Sequence, residues 1–266
     1  MQNKAGICTK KVISMCLALL FWLVLWLIIY KKTGTDLLVS SPLDVAERLF
    51  SLLKEIEFYS SVFRSFLTIT KGYVFGVLGG LILGTLISFS SVLSSLFKPF
   101  LTAVKTTPVV SFIILALIWI PRYSVPTFIT FLMVLPIISA GVMSGLGSAD
   151  TELLEMARAY NFSFRKKLKY LYLPSAAPNF ITACETAIGL GWKAGIAAEV
   201  ICMPDGTIGK ALKNSQVYME TVDLFAWTTV IIMISLILEK LLVSLFDFIF
   251  KKTVSKGGYF IEHKNK

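Results

Sequence analysis

Residues 72 to 89 read GYVFGVLGGLILGTLISF, a run without a charge in which glycine recurs at every fourth position. A run of this length and composition is typical of a membrane-spanning helix. Gly72, Gly76, Gly80 and Gly84 share one helix face, because residues four apart are neighbours on a helix. A ridge of small residues lets a second helix approach closely within lipid. The ridge therefore predicts either fixed packing inside the chain or a surface that slides or dimerises.

The composition extends this interpretation to the whole chain. It has 266 residues, of which 56% are hydrophobic and 16% are charged, and its mean hydropathy is +0.76. Several apolar runs reach the roughly 20 residues that cross a bilayer, and a soluble domain would have to bury each of them on every side. We predict an all-α polytopic membrane protein with about six transmembrane helices. The predicted spans are residues 12–30, 63–89, 102–120, 125–146, 176–203 and 224–250.

The distribution of basic residues predicts the orientation of these spans. Six spans place both termini on one side, and most of the 26 lysines and arginines fall on that side. Such an excess is typical of a cytoplasmic face, so both termini are expected in the cytoplasm. A basic inner face against anionic lipid accounts for the net charge of +10. Membrane lipid is therefore a predicted partner, and the absence of a nucleic-acid motif argues against nucleic acid.

The first span has one alternative interpretation, the apolar core of a signal peptide, because Lys10 and Lys11 precede it. It is long for such a core, and it ends at Tyr30 before two further lysines, without a small-residue cleavage site. We therefore predict a retained helix.

Cysteine and histidine usage excludes several chemistries. The four cysteines, Cys8, Cys16, Cys184 and Cys202, lack metal-ligand spacing and lie in or beside apolar runs, which is typical of small buried hydrophobic residues. The single histidine, His263, lies in the charged tail. A histidine-based metal site and a Ser-His-Asp triad are both disfavoured. The sequence predicts neither a bound metal nor a catalytic residue.

The fifth span contains ionisable residues, which are costly in a membrane unless they are paired or reach water. Four residues fall on one side of the helix at 100° per residue: Glu185, Trp192, Lys193 and Glu199. Gly191 and Gly195 lie roughly opposite and predict a packing face. The polar side predicts either the wall of a solute pathway or an internal salt-bridge network that fixes the helix register.

A polar island interrupts the apolar runs at residues 150–174, DTELLEMARAYNFSFRKKLKYLYLP. Asp150 or the residue after it can cap a short helix. Asn161 tolerates the left-handed conformation and should break that helix, Ser163 can cap a second, and Pro174 should help to end the second. We predict a cytoplasmic helix-turn-helix, which either binds a partner or lies on the membrane surface.

The island resembles the EAA loop of binding-protein-dependent ABC importer permeases. The family pattern is E-A-A, three residues, G, nine residues, I-x-L-P, and residues 155–174 match its spacing without a gap. The departures are Met156, Asn161 and Leu171 in place of Ala, Gly and Ile. The resemblance implies that the following residues couple to an ATPase: Glu155, Met156, Ala157, Arg158, Asn161, Leu173 and Pro174.

Similarity extends to about residues 58–252. The segments TAVKTTPVV from residue 102, GWKAGIAAEVI from residue 191 and PDGTIGKAL from residue 204 are similar to permeases of the nitrate, sulfonate and taurine branch. The expected organisation is a first helix with its extracytoplasmic connection at 1–57, a permease core at 58–252 and a charged cytoplasmic tail at 253–266. The resemblance implies the transmembrane-domain fold of a type I ABC importer.

The family resemblance also implies the partners. They are a second copy of the chain, two ABC ATPase subunits docked on the island, and an extracytoplasmic solute-binding protein, all at the bacterial cytoplasmic (inner) membrane. The chain lacks the G-x-x-x-x-G-K-[ST] phosphate-binding motif, so ATP and Mg are expected on the partner ATPase, and this chain is predicted to bind no cofactor and not to be an enzyme.

The substrate is less determined. Lys193, if it faces the pathway, favours an anion such as a sulfonate, nitrate or a taurine-like solute, whereas Glu185 and Glu199 argue against an anion. Pyrimidine vitamin precursors are a further substrate class in the same branch. The main alternative function is a proton-coupled secondary carrier that uses these three residues as a relay, and a gated channel or assembly scaffold is the other.

Overall fold

The computed structural model describes residues 3–35 and 38–257, in which the helices are joined by turns and loops and no strand occurs. The predicted all-α fold is confirmed. A π-helical turn at Leu168–Tyr172 joins two of the helices. In chain order the helices are α1 (Asn3–Thr33), α2 (Pro42–Leu52), α3 (Ile56–Phe89), α4 (Ser91–Thr106), α5 (Val109–Trp119), α6 (Val125–Gly147), α7 (Thr151–Ala159), α8 (Phe164–Lys167), α9 (Leu173–Cys202), α10 (Ile208–Val217) and α11 (Thr221–Gly257).

Several helices are long enough to cross a membrane. In the described part of the chain α3, α6 and residues Thr221–Leu241 of α11 are both long and apolar enough, and α4 with α5 adds a fourth crossing if the pair counts as one broken span. The helices α1 and α9, with 31 and 30 residues, also have the length of a crossing. This pattern agrees with the multi-pass architecture expected from the sequence.

The third predicted span, 102–120, is interrupted by a break in the helix. The chain bends by 107° between α4 and α5. Pro108 offers no backbone N–H, and the residue before a proline is driven out of the helical region. Thr107 is accordingly extended, with φ −78° and ψ 136°, and its hydroxyl donates a hydrogen bond to the Ala103 carbonyl at 2.7 Å.

The helices α3 and α6 run parallel and pack along the glycine ridge. Gly72 lies against Thr127 near the start of α6, and Gly84 lies against Val142 near its end. A Cβ atom added at Gly76 would come within 2.6 Å of the Val134 Cβ. The ridge is therefore used for fixed packing inside the chain. Because the two helices are parallel, α4 and α5 must return the chain to its starting side.

The third core helix, α9, packs antiparallel to α6. Gly141 and Gly145 of α6 face Ala183 and Ala176 of α9. The two predicted packing glycines of α9 also face neighbouring helices. Gly191 lies against Val134 and Thr130 of α6. Gly195 lies against Thr130 of α6 and Ile69 of α3. Both helix pairs therefore approach through glycine.

A second layer closes over α9 at the end of the bundle where α11 begins. One buried cluster joins α2, α9, α10 and α11, and its members include Leu52, Trp192, Ile208 and Trp227. Trp26 of α1 stacks on Phe225 of α11, with ring centroids 5.6 Å apart.

Two predictions concern His263 and the four cysteines. Residues 258–266, which include His263, lie outside the described residues, and α11 continues to Gly257. The side chains of Cys8 and Cys16 also lie outside the description, whereas Cys184 and Cys202 are free thiols that are buried, as the sequence predicts for small hydrophobic residues.

Candidate functional site

The polar island begins as its sequence predicts. The Asp150 carboxylate accepts a hydrogen bond from the Glu152 N–H at 2.9 Å and so caps α7. Glu152 itself lies in the first turn, where a negative charge is favourable at the positive end of the helix dipole. Local chemistry therefore sets the start of α7.

Asn161 ends α7 in the left-handed conformation, with φ +53°. The Phe162 N–H donates to the Ala157 carbonyl at 2.9 Å, and the Asn161 N–H donates to the Arg158 carbonyl at 3.0 Å. This pair of hydrogen bonds defines a Schellman motif, which glycine most often completes. Asn161 therefore makes the turn at the position of the family glycine.

The second half of the island differs from its prediction. Ser163 occupies the N-cap position of α8, but its side chain makes no capping hydrogen bond. Pro174 does not end the helix: α8, the π-helical turn and α9 follow one another without a break, and the Leu173 N–H donates to the Leu168 carbonyl. Because a π turn has a wider hydrogen-bond spacing than an α-helix, the chain continues through Pro174 although proline has no N–H to donate. The island is thus joined directly to the α9 span.

Aromatic contacts hold the island against the bundle. The Phe89 ring at the end of α3 makes edge contacts with Phe164 and Tyr172, with centroids 5.8 and 5.5 Å apart. The island is therefore packed against the end of α3 as well as joined to α9.

The two sides of α7 have different surroundings. Ala157 is buried and Leu154 is half-buried, whereas Glu155 and Arg158 are exposed. Three apolar residues also remain exposed along one line of the helix: Leu153 and Met156, each 44% exposed, and Tyr160, 74% exposed. We call these three residues the α7 stripe. At the C-terminal end of the predicted motif, Leu173 is exposed and Pro174 is half-buried.

The Asn161 turn gives a direct prediction. Asn161→Gly should leave the turn intact, whereas Asn161→Val should destabilise it by about 1–2 kcal/mol, because a β-branched residue is strained at positive φ. Hydrogen exchange of the Phe162 amide measures this effect. Equal protection of that amide in the two variants would show that the left-handed turn does not hold α7.

The four residues on the predicted polar side of α9 have different surroundings in the structure. Glu199 is fully buried, and its Oε2 accepts hydrogen bonds from the Ser65 hydroxyl at 2.7 Å and the Gly209 N–H at 3.1 Å. The Ser65 Oγ accepts in turn from the Ile208 N–H at 2.9 Å. Glu199 therefore ties α3 and α9 to the N-terminus of α10, where the helix dipole favours a carboxylate.

The other three residues of that side are separate from this network. Trp192 is buried and donates to the Ile231 carbonyl of α11 at 3.3 Å, Glu185 is half-buried, and Lys193 is exposed. Among the described residues no ion pair involves Glu185, Lys193 or Glu199. Lys193 shares the exposed side of α9 with Thr182, Thr186 and Leu190.

A groove of about 780 Å³ opens between α3 and the α5–α6 turn. Its one basic residue is Lys71, which the sequence places in the second span without a role. Hydroxyl groups line the same groove, from Thr68, Tyr123, Ser124 and Thr127, and Phe75 and Phe131 supply apolar walls. The groove and Lys193 are the two places where an exposed lysine lies on a core helix.

An ion-pair cluster centred on Asp205 joins two loops at the end of the bundle opposite α7. The Asp205 carboxylate accepts from Arg122 at 2.9 Å, from the Tyr123 hydroxyl at 2.8 Å, and from Lys210. The bonds from Lys210 and Tyr123 hold the pKa of Asp205 below its usual value, so the carboxylate stays ionised at neutral pH.

Sequence reasoning missed the partners of Glu199 and Asp205. Ser65 carries a usable signal, because it precedes Ile69, Gly72 and Gly76 at helical spacing and so belongs to the buried side of α3. The Asp205 cluster has no such signal, since Arg122 and Tyr123 lie about 80 residues before Asp205 in the chain.

A bundle of membrane-length helices with one capped helix-turn-helix at its end is the architecture of a polytopic membrane protein. The chain belongs to the family described as binding-protein-dependent transport system inner membrane component, whose model matches residues 76–256. The resemblance inferred from the island is thereby confirmed.

Individual relatives agree with this family. A probable ABC transporter permease protein of Brucella melitensis biotype 1 is 25% identical over 215 residues, covering 80% of this chain and 87% of the relative. The putative aliphatic sulfonates transport permease protein SsuC of Bacillus subtilis is 22% identical, covering 70% and 67%, and the taurine transport system permease protein TauC of Escherichia coli is 21% identical, covering 80% of each.

A solved structure shows the same fold. The crystal structure of an amino acid ABC transporter with histidines matches with a TM-score of 0.62 at 17% identity, covering 77% of this chain and 98% of that chain.

Proposed function

We propose that this chain is the permease subunit of an ATP-driven importer, and that it couples to a separate ABC ATPase through α7. The observation that carries the proposal is the α7 stripe. Leu153, Met156 and Tyr160 stay exposed on a helix that is capped at its start and held by a Schellman turn at its end. Exposed apolar residues on a rigid helix suit insertion into a groove of another protein.

In the proposed assembly, different chains form the solute pathway, bind ATP and deliver the solute. Two copies of this chain enclose the solute pathway, two ATPase subunits bind ATP and Mg and dock on α7, and an extracytoplasmic binding protein delivers the solute. In the inner membrane α7 and both termini face the cytoplasm, which the basic residues of the island favour. The unbroken connection from α8 to α9 would carry movement of the ATPases into the pathway.

The exposed side of α9 is the proposed pathway wall. Lys193 cannot lie stably among lipid tails near the middle of a span, so its exposure favours a water-filled pathway or a face of the second copy. We assign contact with the solute to Lys193 and Glu185, and support of the wall to Trp192 and Glu199, which are buried. A free lysine suits a small anion, such as the sulfonate or taurine in the names of the relatives.

Docking variants test this function. Leu153→Asp combined with Met156→Asp should release the ATPase that co-purifies with the unmodified chain, because charge would replace two of the three apolar residues of the stripe while the buried Ala157 stays unchanged. Tyr218→Asp is the matched control, since Tyr218 is 70% exposed on the far end of the bundle. Retention of the ATPase by the double variant would refute docking through α7.

The pathway variant separates transport from docking. Lys193→Met should keep the ATPase bound and lower ATP-dependent uptake of the anion in vesicles about tenfold or more, the scale of one lost charged contact. Uptake driven by a proton gradient without ATP would instead support the secondary carrier.

A further inference from the structure

The short helix α2 presents three different sides. At 100° per residue, its residues sort into successive arcs around the helix axis. The packed arc faces the bundle and contains Val45, Leu49 and Leu52. The polar arc contains Asp44, Glu47, Arg48 and Ser51. The third arc is apolar and exposed, with Leu43 at 73% and Phe50 at 69%, and Leu53 follows just after the helix.

A helix that packs on a protein and otherwise faces water has only two sides, one packed and one polar. The packed arc accounts for the contacts with the bundle, and the polar arc suits solvent, so neither explains a large exposed apolar arc beside them. A helix lying in a membrane surface does have three neighbours, namely protein, water and lipid. The arrangement of α2 fits that third case.

The position of α2 along the bundle agrees with a location at the membrane surface. Arg48 forms a two-point ion pair with Asp223 in the first turn of α11, with Nη2 to Oδ2 at 3.1 Å, and this bond raises the pKa of Arg48 above its usual value. The Trp26 indole near the end of α1 donates to the Ser40 carbonyl just before α2, at 3.2 Å. Both contacts hold α2 at the level where one span ends and another begins.

The apolar arc is also continuous with the exposed surface of a span. The Tyr59 hydroxyl of α3 donates to the Leu53 carbonyl at 2.8 Å. Ile56 and Phe63, which lie on the same helix as Tyr59, are 85% and 60% exposed. Aromatic rings with one polar atom, such as Tyr59, are typical of the region between headgroups and acyl chains.

We propose that α2 is an interfacial helix, with Leu43, Phe50 and Leu53 inserted between the lipid headgroups and acyl chains of the bilayer surface opposite α7. Its partner is the lipid surface itself. The Arg48–Asp223 pair then fixes the depth at which α11 enters the membrane. This inference goes beyond the proposed transport function, and it depends only on the membrane location of the chain.

Spin labels on single cysteines test the proposal. The full chain carrying Cys8→Ser and Cys16→Ser, in which Cys184 and Cys202 are buried, receives Leu43→Cys, Phe50→Cys or Glu47→Cys as its one accessible cysteine, and it is labelled in vesicles of phosphatidylethanolamine and phosphatidylglycerol. Collision with oxygen reports lipid, and collision with a soluble nickel chelate reports water. The labels at 43 and 50 should favour oxygen severalfold over the label at 47, which is the matched control on the polar arc.

Two outcomes would overturn the proposal. Labels at 43 and 50 that meet the nickel chelate as readily as the label at 47 would place the arc in water. Labels at 43 and 50 that meet neither reagent would show that protein, such as a second copy of the chain, covers the arc. Neither result depends on ATPase docking or uptake, so failure here is distinguishable from failure of the proposed function.

Discussion

A Gly80→Leu variant is expected to yield almost no folded protein in the membrane. A Cβ atom alone at this position would lie 2.6 Å from the Ile138 Cβ and 2.9 Å from the Leu135 carbonyl oxygen of α6. Overpacking of a close contact costs about 1–3 kcal/mol and more for a larger group, and native stability is only about 5–15 kcal/mol in total. The yield of monodisperse protein after detergent extraction measures the loss.

The matched comparison uses alanine at two helical glycines. Gly80→Ala should lower the thermal unfolding midpoint, whereas Gly189→Ala should leave it unchanged or raise it, because no atom lies within 4 Å of a Cβ added at Gly189. Alanine favours a helix over glycine by about 1 kcal/mol, so any loss at Gly80 arises from the contact with α6. Equal midpoints for the two variants would contradict the close packing of α3 on α6.

Features set by neighbouring residues could be predicted from the sequence. Asp150 caps α7 and Asn161 reverses the chain as expected, because capping and left-handed turns depend on a few adjacent groups. The glycine spacing likewise identified the side of α3 that packs, although it could not name α6 as the partner or show that the two helices are parallel.

Features set by distant contacts could not be predicted. Pro108 marks the break in the third span, but the sequence gives no angle for it, and Pro174 continues into a helix because a π turn precedes it. In α9, helical periodicity places Glu185, Trp192 and Glu199 on one side of the helix. It could not show that α10 and α11 cover two of them and leave Lys193 exposed.

Ser65→Ala is expected to destabilise the protein by about 2–4 kcal/mol, because it removes a hydrogen bond to a buried carboxyl group and leaves a buried N–H without its acceptor. The change would leave the Glu199 carboxylate with the Gly209 N–H as its remaining donor in the described network, because the other oxygen, Oε1, already lacks a partner there. It would also remove the acceptor for the Ile208 N–H. Ser139→Ala is the control, since that buried hydroxyl donates to the Leu135 carbonyl of its own helix, and its loss should cost about 1 kcal/mol.

Glu199→Gln should be milder than Ser65→Ala, and it decides between a structural role and a transport role for Glu199. The amide oxygen can accept from Ser65 and Gly209 as the carboxylate does, while the buried charge disappears, so we expect a cost of about 1–3 kcal/mol. If Glu199 only fastens α10 to α3 and α9, ATP-driven uptake by the folded variant should stay within about threefold of normal, because no proton has to leave this carboxylate. A folded Glu199→Gln protein that binds its ATPase but has lost all ATP-driven uptake would contradict the structural role and make Glu199 part of the transport pathway.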